Sequence, residues 1–236
     1  MRDYLYFAGK NLDEFETFIT NAGVYSTPER NYESIEIAGR SGNLIIENDK
    51  FDNVEHRYPM IILKDFNENY AALKSFLLSK KGYQRLADTF YPDEFYLASF
   101  KRFENIKQQF LHGTMGSCVL VFERKPQRYL VRGEDVYTFT TTGNHYILSP
   151  TPFNALPILR VWGSGTLTIN GKSIVINTEQ EYLTIDCELQ EVLEYGGNLD
   201  ITLSSGEFPS LHEGNNLIRV GSGITKVQVT PRWWKL

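Results

Sequence analysis

The sequence predicts a mainly β protein with a single helix, and three observations support this fold class. Short runs of alternating apolar and polar residues recur along the chain, separated by Gly, Pro, Asn and Asp, as is typical of strands joined by turns. Only residues 67–80 repeat their apolar side chains at helical spacing. From residue 152 onward, seven strand-like runs follow one another, which predicts an antiparallel β-sandwich.

Three runs before the helix predict strands. Residues 4–10 are mostly apolar and aromatic and contain Gly9, which predicts a strand followed by a turn. Residues 35–39 alternate apolar and charged side chains, and Gly39 and Gly42 can supply the positive φ angles of the turn that follows. Residues 58–63 form the third candidate strand.

The helix is predicted to run from Asn67 to about Lys80. Asp65 or Asn67 is expected to cap it by accepting a hydrogen bond from a free backbone N–H of the first turn. Gly82 is expected to end it, after two lysines that complement the negative end of the helix dipole. The apolar face of the helix, which we expect to pack on a sheet, consists of Tyr70, Leu73, Phe76 and Leu77.

Strands are predicted again after the helix, at residues 83–86, 95–103 and 116–122. Between the last two, residues 104–113 are polar and show no firm period, so we interpret them as an extended hairpin arm. Pro126 ends this block, because proline cannot donate a hydrogen bond to a central strand ladder.

Pro150 and Pro152 mark the predicted domain boundary. The residues before them are rich in Tyr, Thr and Gly and alternate only weakly, which indicates a connector with a crossing strand at residues 138–143. We therefore predict a first domain over residues 1–130, a connector over residues 131–151 and a β-sandwich over residues 152–236.

The sandwich is predicted from seven short strands. They lie at residues 158–162, 165–169, 172–176, 182–186, 199–203, 216–220 and 225–230. Asn170 and Gly171 separate two of them and predict a two-residue hairpin, because a type I′ turn requires a positive φ angle at both positions.

Composition excludes several function classes. The formal net charge of −5, with Lys and Arg scattered among Asp and Glu, does not fit a nucleic-acid-binding domain, which usually has a clustered basic excess. No run approaches the ~20 apolar residues of a membrane span, and the first residues lack the apolar run of a secretory signal. Cys118 and Cys187 share no metal-ligand spacing; we expect buried free thiols in a reducing cytoplasm and leave a disulfide open.

No catalytic, cofactor-binding or metal-binding residue is predicted, and the chain is not expected to be an enzyme. Nucleotide-binding glycine loops, zinc motifs and nucleophile elbows are absent from the sequence. The four histidines are isolated in loops or at strand ends, and we expect them to be solvated. They are His56, His112, His145 and His212. The carboxylate pairs Asp93–Glu94 and Glu179–Glu181 are likewise interpreted as solvated turn residues.

Three tryptophans are the candidate interface or ligand surface, namely Trp162, Trp233 and Trp234. Trp is favoured both at protein interfaces and as a stacking platform for sugars. Because two adjacent residues of a strand point to opposite faces, one of Trp233 and Trp234 is expected in the core and the other at the surface. The apolar residues that continue to the end of the sequence predict an ordered final segment.

An ordered series of motifs resembles the distal tail proteins of siphophages. In the first half these motifs are LSKKGYQRL at 78–86, YPD at 91–93 and FERKPQRY at 122–129. In the second half they are NALPILRVWGSG at 154–165, TINGK at 168–172, IDCE at 185–188, FPSL at 208–211, GNN at 214–216 and PRWW at 231–234. The resemblance extends over nearly the whole chain.

The resemblance implies a structural component of the phage baseplate at the tail tip of the virion, assembled in the cytoplasm of a host that is Gram-positive. Six copies would form a homo-hexameric ring through an α+β first domain, with a galectin-like sandwich outside and a conduit for DNA within. The implied partners are the major tail tube protein above the ring and the tail-tip or tail-associated lysin protein below it. Receptor-binding proteins would attach at the periphery. Neither a cofactor, nor membrane insertion, nor sequence-specific binding of nucleic acid is implied.

Two other classes of function are alternatives to the tail hub. A carbohydrate-binding module would present Trp or Tyr side chains of the sandwich to a host cell-wall polysaccharide. An esterase or glycosidase would require a serine triad or two facing carboxylates in an apolar enclosure, and the sequence indicates neither. A galectin-like fold alone does not establish sugar binding, because function belongs to sites and not to folds.

Overall fold

The structure is a computed structural model that describes residues 3–21, 27–108, 114–197 and 204–236. Two compact units divide the chain, the first comprising Met1–Arg128 with Leu236 and the second Tyr129–Lys235. Both units consist mainly of antiparallel strands, and within the described ranges one α-helix is present. The predicted fold class, mainly β with one helix, is therefore confirmed.

Nine strands, one 3₁₀ helix and one α-helix are described up to residue 124. In chain order they are β1 (Leu5–Phe7), β2 (Lys10–Asn11), a 3₁₀ helix (Leu12–Phe15), β3 (Thr17–Ile19), β4 (Arg30–Ile35), β5 (Leu44–Phe51), β6 (Val54–Ile62), α1 (Phe66–Ser79), β7 (Gln84–Asp88), β8 (Glu94–Gln108) and β9 (Gly116–Arg124). The predicted strands at residues 58–63, 83–86, 95–103 and 116–122 thus correspond to β6, β7, β8 and β9.

The first unit is an antiparallel sheet packed against α1. The strand order is β2-β1-β7-β8-β9-β6-β3. Phe66, Leu73 and Leu77 of α1 are buried in the same apolar cluster as Leu86 and Leu120 of the sheet. The predicted apolar face of the helix therefore does pack on a sheet, and Phe66 extends this face by one turn toward the helix start.

The predicted side-chain cap of α1 is wrong. Asp65 occupies the capping position but has a φ angle of 40°, and its side chain makes no capping hydrogen bond. In this left-handed conformation the carboxylate does not have the extended geometry in which a capping side chain reaches the free N–H groups. At the other end, the helix stops at Ser79, and its capping residue Lys80 is already extended, with a φ angle of −84°. Gly82, with a φ angle of +67°, therefore lies beyond the helix end and does not itself end the helix as predicted.

β4 and β5 form a two-stranded sheet of their own, which we call the β4–β5 hairpin (residues 30–51). The sequence placed a strand at residues 35–39, whereas β4 ends at Ile35. Gly39 and Gly42, with φ angles of +80° and +85°, instead belong to the connection between the two strands. The predicted arm at residues 104–113 is formed by the end of β8, which pairs with β9 as far as Gln108 and Gly116; residues 109–113 lie outside the described ranges.

From residue 128 onward the elements are again short. They are β10 (Arg128–Leu130), a 3₁₀ helix (Val131–Glu134), β11 (Tyr137–Phe139), β12 (Gly143–Ser149), β13 (Ile158–Gly163), β14 (Gly165–Ile169), β15 (Lys172–Ile176), β16 (Leu183–Asp186), β17 (Glu191–Glu194), β18 (Ser204–Gly206), β19 (Gly214–Val220), β20 (Ile224–Thr230) and β21 (Trp234–Lys235). The predicted strand at residues 199–203 lies outside the described ranges.

The second unit is an antiparallel sandwich of two five-stranded sheets. One sheet has the order β11-β20-β13-β16-β17 and the other the order β12-β19-β14-β15-β18. Buried side chains from both sheets, among them Leu159, Val227, Leu167 and Ile218, belong to a single apolar cluster. The turn at Asn170 and Gly171 has φ angles of 51° and 85°, as the two-residue hairpin requires.

Two strands of the sandwich lie in the segment for which the sequence predicted a connector, residues 131–151. β11 pairs with β20, and β12 pairs with β19 over its full length from Gly143 to Ser149. As a result, β19 and β20, which come late in the chain, each lie between two strands that come earlier.

Both cysteines are buried free thiols, one in each unit. Burial raises the pKa of Cys118 and that of Cys187 to about 12, so both stay protonated and unreactive at neutral pH. The free-thiol interpretation is therefore confirmed over the disulfide. In the described part of the chain, α1, with 14 residues, falls short of the length that a membrane-spanning helix needs.

Candidate interaction surfaces

Trp233 belongs to the core of the sandwich. Its side chain is 1% exposed and lies in the same cluster as Leu130 and Val229. The backbone around it is also held, because the N–H of Leu130 donates to the carbonyl of Trp233 at 2.8 Å. Gly133 is so close that a Cβ there would lie 2.5 Å from the Trp233 nitrogen. Trp233 is therefore the core member of the tryptophan pair and is not available to a ligand.

Arg232, the residue before Trp233, is held in place by hydrogen bonds of its guanidinium group. It has a φ angle of 58°, and its guanidinium donates two hydrogen bonds, at 2.8 and 3.0 Å, to the carboxylate of Asp186. Its Nε donates to the carbonyl of Leu156 at 2.6 Å. Burial alone would raise the pKa of Asp186, but the hydrogen bonds from Arg232 and from the backbone N–H groups of Leu189 and Glu188 outweigh burial and lower it.

Trp234 lies at the surface, but its side chain already contacts other residues of the second unit. Its Nε1 donates to the carbonyl of Asn154 at 2.9 Å, and its ring stacks on Phe153 with the centroids 4.5 Å apart. One hydrogen bond and one ring face are thus used within the sandwich. The remaining half-buried surface is what Trp234 could offer to a partner.

Trp162 is part of an aromatic cluster on the outer face of the β13-containing sheet. Its ring contacts Tyr182 with the centroids 4.9 Å apart, and Tyr182 in turn meets Tyr195 edge-on at 5.2 Å. Lys226, its cross-strand neighbour, places its Nζ 3.5 Å from the centre of the Trp162 ring. One face of Trp162 is therefore covered by an ammonium group, and Tyr195 is the exposed ring of the cluster.

The β4–β5 hairpin exposes large apolar side chains that the sequence analysis did not single out. Cross-strand partners share a face, and the pairs Ile35–Leu44 and Glu33–Ile46 put Ile35, Leu44 and Ile46 on one face together. Each of the three is between 41% and 45% exposed. We call them the hairpin face. The signal that could have identified it is the run Leu-Ile-Ile at 44–46, which follows the glycine turn.

A second exposed apolar surface lies at the end of α1. Leu78 is 58% exposed and Tyr83 is 44% exposed. Lys74, one helical turn before Leu78, is exposed, as is Lys81. We call Leu78 and Tyr83, with the lysines at 74, 80 and 81, the helix-end surface.

Two of the carboxylates and histidines that the sequence predicts to be solvated are buried instead. Glu94 and His56 are buried and not solvated, because both lie on strands of the first unit, β8 and β6, and not in loops. Glu179 and Glu181 are exposed as predicted, and His112 lies outside the described ranges. Among the described residues, no group of three or more His, Cys, Asp or Glu could hold a metal ion.

His56 is a buried histidine of β6. Its ring lies edge-on to Tyr58 at 4.5 Å, and its Nδ1 has no hydrogen-bond partner within the described structure. Burial, with the nearby charges of Arg124 and Arg128, lowers the pKa of His56 to about 4. It is therefore a neutral core residue at pH 7 and not a base poised for catalysis.

These features define a class of protein by its fold: two units that each consist mainly of antiparallel strands. No protein-family model matches the chain, and no curated protein matches its sequence.

Solved structures nevertheless share the fold. One is the Dit protein of phage SPP1, presented as a paradigm of the hub adsorption apparatus in phages that infect Gram-positive bacteria. It matches with a TM-score of 0.75 and 15% identity, over 100% of both chains. Another is the baseplate of phage p2 in its activated conformation with Sr, with a TM-score of 0.56, 10% identity, and coverage of 96% of this chain and 97% of that chain. The fold expected from the resemblance to distal tail proteins is confirmed.

Proposed function

We propose that the chain is a distal tail hub protein, a structural and non-enzymatic component of a phage baseplate in the virion tail. The observation that carries this proposal is the fold match to SPP1 Dit over the full length of both chains, with a TM-score of 0.75. The motif series in the sequence supports it independently. A buried neutral His56 and the lack of a metal-binding group among the described residues fit a structural role.

In this proposal six copies form a closed ring at the distal end of the tail tube, with the first unit in the ring and the galectin-like sandwich outside. The major tail tube protein binds on one side, the tail-tip or tail-associated lysin protein on the other, and receptor-binding proteins at the periphery. Head-to-tail contacts that close under cyclic symmetry leave no subunit of the ring with an unpaired contact surface toward its neighbours. The net charge of −5 suits a conduit for DNA, because a negatively charged protein does not retain the negatively charged phosphate backbone.

The oligomeric state tests this proposal. Purified protein should scatter light with six times the mass of the single chain, or it should enter tail particles in six copies when the tail proteins are co-expressed. Negative-stain images should then show a ring with an open centre. A chain that stays monomeric at high concentration and is absent from tail particles would contradict the hub assignment.

The alternative, a module that binds a host cell-wall polysaccharide, is favoured by one observation, the Trp162–Tyr182–Tyr195 cluster on the outer face of the sandwich. If this cluster binds sugar, Tyr195→Ala should weaken binding to cell-wall polysaccharide at least about tenfold by calorimetry, because the exposed ring is the free stacking surface. Trp234→Ala, outside the cluster, is the matched control. Equal binding by both variants, or no binding by the wild type, would remove this alternative.

A further inference from the structure

We propose that the hairpin face of one copy binds the helix-end surface of the next copy in the ring. This inference rests on the proposed ring and specifies its contact. Each of the two surfaces is thus covered by a second copy of this chain. The contact is heterologous, since two different patches meet, and only contacts of that kind can close a ring of more than two subunits.

The hairpin face needs a covering surface. A two-stranded hairpin is marginally stable by itself in water. In the β4–β5 hairpin all six residues of β4 are exposed, so the hairpin does not gain stability by burying that strand within its own unit. The pair of hairpin residues nearest the main sheet in sequence is Arg30 and Phe51, and β6 begins at Val54. Covering Ile35, Leu44 and Ile46 would therefore stabilise both the hairpin and the assembly.

Charge complementarity selects the helix-end surface as the partner. Glu33 lies on the hairpin face opposite Ile46, and Glu36 follows β4. Arg40 is the only cation between Glu33 and Leu44, so this segment carries one net negative charge. The helix-end surface has the opposite sign, with cations at Lys74, Lys80 and Lys81 around the exposed Leu78.

The helix-end surface is also rigid, as a docking site should be. The Nζ of Lys80 lies 4.8 Å from the centre of the Phe76 ring, which holds the lysine stem along the helix. The hydroxyl of Tyr83 accepts a hydrogen bond from the amide of Asn53 at 2.6 Å, and Lys125 lies over the Tyr83 ring. Apolar surface in the centre and cations at the rim match an apolar hairpin face rimmed by carboxylates.

Cross-linking between two different single-cysteine variants tests the contact. Ile46→Cys protein and Leu78→Cys protein are mixed and treated with a short bis-maleimide at a concentration at which the wild type forms the ring. If the isolated chain is monomeric, the two variants are instead co-expressed with the tail proteins and cross-linked in tail particles. Cys118 and Cys187 are buried and do not react. The mixture should give a covalent dimer, and each variant alone should stay monomeric on a denaturing gel.

Ile106→Cys, on the exposed end of β8, replaces Ile46→Cys in the control mixture and should give no dimer. Dimers from Ile46→Cys alone would indicate a symmetric contact and would overturn the inference, as would dimers from the Ile106→Cys mixture only. A wild type that forms rings without the 46–78 cross-link would also overturn it while leaving the hub function intact. A wild type that forms no ring in either setting would instead refute the hub function itself.

Charge exchange provides a second readout. Glu33→Lys with Glu36→Lys should raise the concentration for half-maximal ring assembly about tenfold or more, because like charges would then face each other. Lys80→Glu with Lys81→Glu should do the same. Combining all four changes should restore assembly to within about threefold of the wild type. Additive loss in the combined variant would contradict the pairing, and Glu181→Lys, an exposed change in the second unit, is the neutral control.

Discussion

Trp233→Ala should destabilise the second unit by about 3–5 kcal/mol, the cost typical of removing a large aromatic side chain from a well-packed core. The side chain is 1% exposed and is the largest of the fully buried ones. Its removal leaves a cavity lined by strands of the sandwich, and nearby Gly133 offers no side chain to fill it. Tryptophan fluorescence is the suitable probe, since Trp162 and Trp234 both remain in the second unit.

Trp234→Ala is the matched control, because it removes the same side chain at the adjacent position. It should cost about 1–2 kcal/mol, from one stacking contact and one hydrogen bond at a half-buried site. Urea unfolding curves of the two variants should therefore have clearly different midpoints. Similar losses in both variants would mean that the final segment is held as a unit and not by the burial of Trp233.

Lowering the pH from 6.5 to 4 should destabilise the first unit by about 3 kcal/mol through His56 alone. The pKa of His56 is lowered from 6.5 to about 4 by burial, so in this range the unfolded chain takes up a proton that the folded chain does not. The stability is fully present above pH 6.5 and is lost progressively toward pH 4. Hydrogen exchange of β6 and β9 peptides as a function of pH measures it.

His56→Phe should remove this pH dependence while preserving the ring contact with Tyr58. The substitution leaves no new unpaired group, since Nδ1 of His56 is itself unpaired in the described structure. His212→Phe, at an exposed position, should retain the wild-type pH profile of the first unit. If His56→Phe lost stability between pH 6.5 and 4 as steeply as the wild type, another group would be responsible.

The strands that the sequence predicted best are those with one buried face. β14 and β15 were predicted at their observed bounds, because alternation and the Asn-Gly turn both reflect burial on one side. β4 was displaced, since all its side chains are exposed and no face imposes an apolar period. β12 was missed for a different reason: Tyr146 and Leu148 on its outer face are apolar, like the buried Ile147 between them, which conceals the alternation.

The candidate surfaces were less predictable than the fold. The sequence predicted that one of Trp233 and Trp234 is in the core and the other at the surface, but it could not tell which one faces the core, and only Trp234 lies in a strand, β21. It also could not reveal that Lys226 covers Trp162, because the two meet through pairing between β13 and β20, far apart in the chain. The hairpin face was overlooked because apolar residues next to a glycine turn are equally typical of a buried strand.

The positions of β19 and β20 determine when the second unit can fold. Each of them pairs with two strands that come earlier in the chain. β19 lies between β12 and β14, and β20 lies between β11 and β13. During synthesis, β11 and β12 therefore emerge from the ribosome well before β20 and β19, the strands that join them to their sheets. Contacts between strands about 90 residues apart close slowly, because chain entropy is lost before those contacts stabilise the sheet. We therefore expect the sandwich to form late and cooperatively, after residue 230 has left the ribosome, and chains truncated before β19 to be targets of proteolysis.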